Sequence, residues 1–120
     1  MPKPTEIKLH QLSRMLEVHF DDGSQFHLPC EYLRVFSPSA EVRGHGPGQE
    51  VLQVGQENVT IDDIEPVGNY AVRLVFSDGH STGLYSWDVL YELGIHQESN
   101  WQHYLQRLAE AGYRRKVRQQ

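Results

Sequence analysis

Two short segments, Phe20-Asp21-Asp22-Gly23 and Phe76-Ser77-Asp78-Gly79, constrain this 120-residue chain more than anything else in it. Leu16-Glu17-Val18-His19-Phe20 alternates apolar and polar residues before the first, and Ser24-Gln25-Phe26-His27-Leu28 alternates after it. Glycine takes the positive φ of a tight turn at no steric cost, so Asp-Gly between alternating runs predicts an antiparallel hairpin. Tyr70 to Phe76 followed by His80 to Leu84 predicts a second. The stretches aligned on the two glycines match from Leu16 over Val72 onward, Leu28 then falls on Leu84, and a short helical run follows each. Independent hairpins converge on such a pattern as readily as duplicated ones do, and the sequence leaves both origins open.

The remaining segments attach to this frame. Ile7-Lys8-Leu9-His10 predicts a first strand. Pro29 suits the first turn of a helix over Glu31 to Phe36, which Ser37-Pro38 then stops. Residues 37–50 hold three Gly and two Pro and predict a long loop, with Arg43 and His45 as its candidates for touching a partner. Val51 to Val54 and Val59 to Ile61 predict strands around Gly55, and Pro66 confines its own segment to a sheet edge or an end. Ser86 predicts the cap of a helix over Trp87 to Leu93 that Gly94 ends. A last helix is expected from Ser99, with Gln102 completing a capping box and Trp101, Tyr104, Leu105 and Leu108 on one face. The fold class is therefore α+β: a β-rich antiparallel meander of hairpins with short helices and a C-terminal helix packed on the sheet. One domain over residues 1–120 is expected, its core about residues 6–110, with a basic, solvated tail from 113 to 120 carrying Arg114, Arg115, Lys116 and Arg118.

Composition narrows the function. A formal charge of -5 argues against a nucleic-acid-binding surface. No stretch reaches the roughly 20 apolar residues of a membrane-spanning helix, and no secretion signal is visible, so the cytoplasm is the expected location. The lone Cys30 excludes an internal disulfide. It stands where a helix N-terminus could lower its pKa, but a lone cysteine reads first as a small core residue. Asp21/Asp22 and Asp62/Asp63 sit in turn-like segments where Asp bonds locally. Arg43-Gly44-His45-Gly46-Pro47-Gly48 is glycine-rich, yet no Gly-Lys-Ser/Thr follows it. His19 and His27 are expected to face each other across the first hairpin, and no HxH, HExxH or CxxC spacing strengthens them as metal ligands. The sequence thus names no catalytic residue and no cofactor.

At these hairpins the chain resembles the γ-butyrobetaine hydroxylase-like N-terminal domain family, formerly a domain of unknown function of the DUF971 type. The residues that carry the resemblance are Leu16-Glu17-Val18, Phe20-x-Asp22-Gly23, Leu28-Pro29-x-x-Tyr32-Leu33-Arg34, and Phe76-x-Asp78-Gly79-His80 with Trp87 and Leu90. In the eukaryotic hydroxylases this domain precedes an iron- and 2-oxoglutarate-dependent catalytic domain and looks like a structural zinc module. Its ligands there are a Cys-x-Cys-x-x-Cys just after the Leu-Arg and a distant His. Carried over, those positions are Ser37, Ser39, Val42 and His80, so three of the four ligands are missing and His80 alone is a weak metal candidate. Stand-alone bacterial members, and members attached to ATPases resembling iron–sulfur cluster carriers, imply an accessory role. The absence of catalytic motifs favours a non-catalytic interaction or scaffold module with an unidentified protein partner. A metal-binding accessory protein linked to iron–sulfur cluster traffic is the alternative, and a small enzyme the third reading. The resemblance also leads us to expect that His80 lies near Ser37 and Ser39 and bonds a hydroxyl or a backbone carbonyl.

Overall fold

The computed structural model describes residues 2–44, 46 and 48–116. Strands β1 (Pro4–His10), β2 (Met15–Phe20) and β3 (Gln25–Pro29) form one antiparallel sheet, and helix α1 (Cys30–Val35) follows it. After the single turn α2 (Ala40–Arg43), strands β4 (Ile61–Val67), β5 (Ala71–Phe76) and β6 (Leu84–Ser86) form a second sheet, and α3 (Trp87–Ile95) and α4 (Gln97–Glu110) complete the chain. The meander is thus divided between two three-stranded sheets. Alternation decides which face each strand buries. Leu16, Val18 and Phe20 of β2 meet Val72, Leu74 and Phe76 of β5 in one core, with Leu28, Leu33, Tyr85 and Leu90. Fully burying each such side chain is worth about 1.5–3 kcal/mol.

The two halves are built alike. In the first turn the Phe20 N–H bonds the Ser24 carbonyl and the Gly23 N–H bonds that of Phe20; in the second, Phe76 pairs with His80 and Gly79 with Phe76 in the same way. Both glycines hold positive φ, 89° at Gly23 and 91° at Gly79. In each sheet the first strand carries a register shift, between Pro4 and Glu6 and between Ile61 and Asp63. The alignment slips after the second turn: Leu28 pairs with Leu16, whereas Val72 pairs with Tyr85. Tyr85 is the buried counterpart of Leu28, and Leu84 is 45% exposed.

Several expectations are corrected. Gly94 does not end α3, which runs on to Ile95; a Cβ at Gly94 would lie 2.4 Å from Cγ of Phe26, so the glycine admits that ring. Helix α4 starts at Gln97, and the Ser99 hydroxyl donates to the His96 carbonyl without capping the helix. Val51 to Val54 forms no strand: the Val51 N–H donates to the Val42 carbonyl at 2.8 Å, and the Tyr104 hydroxyl donates to the Gln53 carbonyl at 2.7 Å. Only Ile61 of the expected strand from Val59 to Ile61 lies in a strand, β4. Residues 37–43 are not open loop either, since Ser37, Ser39 and Val42 are buried. His19 lies opposite Gln25, and Glu17 opposite His27, so the two histidines do not face each other. The expected cap at Ser86 is present, its hydroxyl accepting from the Val89 N–H at 3.2 Å. Pro66 lies in β4, which pairs only with β5.

In the tail Arg114 and Lys116 are exposed as expected, and Arg115 departs from the expectation. The backbone closes on itself after α4, and the Arg115 side chain lies on Glu31 of α1 and over the ring of Trp101 instead of in solvent. Arg118 lies outside the described residues. Among the described residues no helix is long and apolar enough to cross a membrane.

Candidate functional site

Where α1 ends, the chain passes beneath the second hairpin. Leu33 fixes this approach: it is fully buried, and its carbonyl accepts from the buried Tyr85 hydroxyl at 2.5 Å. Beyond it, Ser37 (1% exposed), Ser39 (6%) and His80 (8%) converge. Nε2 of His80 lies 2.8 Å from Oγ of Ser37 and 3.4 Å from Oγ of Ser39, while Nδ1 is 3.7 Å from a carboxylate oxygen of Glu41. The Ser39 N–H donates to the Ser37 hydroxyl at 3.3 Å. With the imidazole neutral, Nε2 accepts from Ser37, while Nδ1 faces Glu41 beyond hydrogen-bond reach. Gly83 makes room for the cluster, since a Cβ there would lie 2.4 Å from Oγ of Ser37.

A charged clamp stands beside it. Asp78 accepts from Nε of Arg34 at 2.9 Å and from the backbone N–H of His80 at 3.1 Å, and Arg34 also donates to Gln53 at 2.9 Å. Burial pushes the Asp78 carboxyl up, but the His80 N–H and the Arg34 guanidinium more than offset it and hold its pKa below the ordinary value. Burial chiefly, and then the nearby Arg34 charge, hold the His80 imidazole below its ordinary pKa. Glu41 and Asp78 pull the other way and lose.

These are the positions where the resembling zinc modules carry three cysteines and a histidine. The residues present do not fit that metal: two neutral hydroxyls replace thiolates, and Val42 offers no donor atom. Among the described residues no group of three or more His, Cys, Asp or Glu side chains is arranged to hold a metal ion.

The other candidates among the described residues take no part in this cluster's hydrogen bonds. Cys30 is buried and its thiol is pushed up to about 11 by desolvation, so it stays protonated. Arg43 is exposed at the end of α2, and His45 lies outside the described residues. Asp22 accepts from the Ser24 N–H and from the Tyr91 hydroxyl, the first of a turn's local bonds, and Asp63 from the Ile64 N–H. On the outer face of the first sheet, Glu17 bonds His10 at 2.8 Å and also His19, which together hold its carboxyl down to about 2. Sequence reasoning missed the Arg34–Asp78 clamp; its only signal was a charged residue in each of the two quoted motifs.

A small α+β domain of paired meanders, with a histidine and two serines closed on one another between them, is thereby defined. The chain belongs to the family described as gamma-butyrobetaine hydroxylase-like, N-terminal, which it matches over residues 7–91. It is similar to two proteins with NMR solution structures, each at a TM-score of 0.83. The first is 56% identical, covering 98% of this chain and 87% of that one; the second is 45% identical, covering 100% and 94%. A 1.93 Å crystal structure of a protein of unknown function from Acidithiobacillus ferrooxidans ATCC 23270, of the DUF971 family, is 39% identical with a TM-score of 0.65. That match covers 77% of this chain and 92% of the other. No curated protein is significantly similar to the chain.

Proposed function

We propose that the chain is a non-catalytic accessory module that works by binding another protein, in the cytoplasm. One observation carries this reading: the polar groups at the family's ligand positions bond one another, His80 to Ser37 and Ser39. A centre built this way fixes the approach of α1 to the second hairpin and presents no free nucleophile or base to a substrate. What such a domain offers other molecules is its surface.

The reading is tested on protein at its native level in its own cell, by cross-linking and sizing. It should run in a complex well above its own 13.9 kDa. Recovery at 13.9 kDa alone would overturn the interaction reading. Elemental analysis and chelator treatment address the alternative. The thermal midpoint should not move with chelator, since a ligand that binds only the native state must raise its stability. Stoichiometric metal that disappears in His80→Ala would establish a metal-binding accessory protein instead.

A further inference from the structure

The end of α4 sends the chain back along the molecule. Gly112, at φ 76°, lets its own N–H reach the Ala109 carbonyl at 3.0 Å and the Tyr113 N–H reach that of Leu108 at 2.9 Å. This paired closure reverses a chain at a helix end. The Tyr113 hydroxyl then donates to Glu57 at 2.9 Å, and the Lys116 backbone N–H donates to the same carboxylate at 2.6 Å. Between these anchors Arg115 lays its guanidinium on Glu31: Nε donates to one oxygen at 3.0 Å and Nη2 to the other. The same guanidinium lies 5.2 Å from the ring centroid of Trp101.

Glu31 is only 9% exposed, and a carboxylate so placed requires a fixed cation. Yet Arg115 forms only one wall of the space around it. A cavity of about 560 Å³ opens beside the pair, lined also by Tyr32, Ile95, Gln97, Glu98 and Trp101. The buried Glu31 carboxylate, the Trp101 indole and a second carboxylate, Glu98, all on its lining, together match a guanidinium. Its planar fork bonds both oxygens while its face stacks on the ring, and an ammonium cannot do both. Trp101 and Arg115 lie beyond the residues 7–91 that match the family, whereas Glu31 and Tyr32 lie within them.

We propose that the notch between Glu31 and Trp101 is a docking site for an arginine of a partner protein, and that the chain's own Arg115 occupies it until that arginine displaces it. The proposal rests on the interaction reading and gives the partner a chemistry: a segment with an exposed arginine, drawn to Glu31 and Glu98. The tethered Arg115 competes at a high effective concentration, so a free peptide binds the intact chain weakly.

The test compares the full-length chain with Arg115→Ala, titrated with acetyl-Tyr-Arg-Arg-amide and with the same peptide carrying lysines, and reads the Trp101 indole N–H by NMR. The arginine peptide should bind Arg115→Ala about tenfold more tightly than it binds the unsubstituted chain. The lysine peptide should be about tenfold weaker, and adding Glu31→Gln should abolish the shift at Trp101. Three results would each overturn the proposal: no saturable shift in Arg115→Ala up to about 10 mM, equal binding of the lysine peptide, or a dimer of the unsubstituted chain that requires Arg115, which would make the occupant a second copy. If Arg115→Ala does not fold, Arg115→Lys keeps the charge but loses the fork and is judged by the same comparison. Failure at the notch leaves the interaction reading intact, because the size of the native complex judges that reading separately.

Discussion

His80 is held at Nε2 by the Ser37 hydroxyl while its backbone N–H closes the turn through Asp78. Removing the ring in His80→Ala should cost about 1 kcal/mol of unfolding free energy, the usual net worth of one hydrogen bond. The cost should depend on pH with a definite sign. The folded pKa lies below the ordinary 6.5, so the unfolded chain takes the proton more readily. The stability that the neutral ring contributes is fully present above about pH 6.5 and is lost as pH falls through the lower folded value. Denaturant curves from about pH 8 to pH 5 should therefore show the gap between wild type and His80→Ala narrowing with acid. A widening gap would mean that the folded state prefers the imidazolium. The same geometry makes a stronger prediction. Replacing Ser37, Ser39 and Val42 together by Cys should produce a chain that takes up one zinc and gains about 4 kcal/mol when free zinc exceeds its Kd by about a thousandfold. Unchanged melting with added zinc would show that the three positions no longer converge.

At the scale of elements, local chemistry decided what could be read from the sequence. Gly23 and Gly79 carry the turns, Ser86 caps α3, and Pro66 stays at an edge, each for a reason contained within a few residues. The convergence of Ser37, Ser39 and His80 was legible only through the family resemblance. Distant partners decided what was missed. The segment from Val51 to Val54 reads as a strand because nothing near it in sequence shows Tyr104, some fifty residues later, on the Gln53 carbonyl. Gly94 reads as a helix end because nothing nearby in sequence shows Phe26 against it. Gly94→Ala reverses an ordinary expectation. Inside a helix that exchange usually stabilises by about 1 kcal/mol, but here the new methyl would enter the Phe26 ring. The thermal midpoint should fall, and a rise would show that the ring yields at little cost.

For the molecule as a whole, each meander buries its apolar face against the other, with Leu16 and Val18 from one and Val72 and Leu74 from the other in a single core. Neither half can satisfy that face alone. A fragment of residues 1–58 should show no cooperative thermal transition by circular dichroism, and mixing it with residues 59–120 should restore one. A cooperative melt of the first fragment alone would show that the halves are independent.

The halves also grip each other crosswise. Arg34, in the helix after the first hairpin, binds Asp78 in the second turn, while Tyr91, in the helix after the second hairpin, binds Asp22 in the first at 2.7 Å. Contact i to j answered by j to i is the arrangement of an isologous homodimer, here written within one polypeptide. In a true dimer every substitution appears on both sides of the axis. Within one chain the two sides of such an arrangement need not match residue for residue: Ser24 follows one turn glycine and His80 the other.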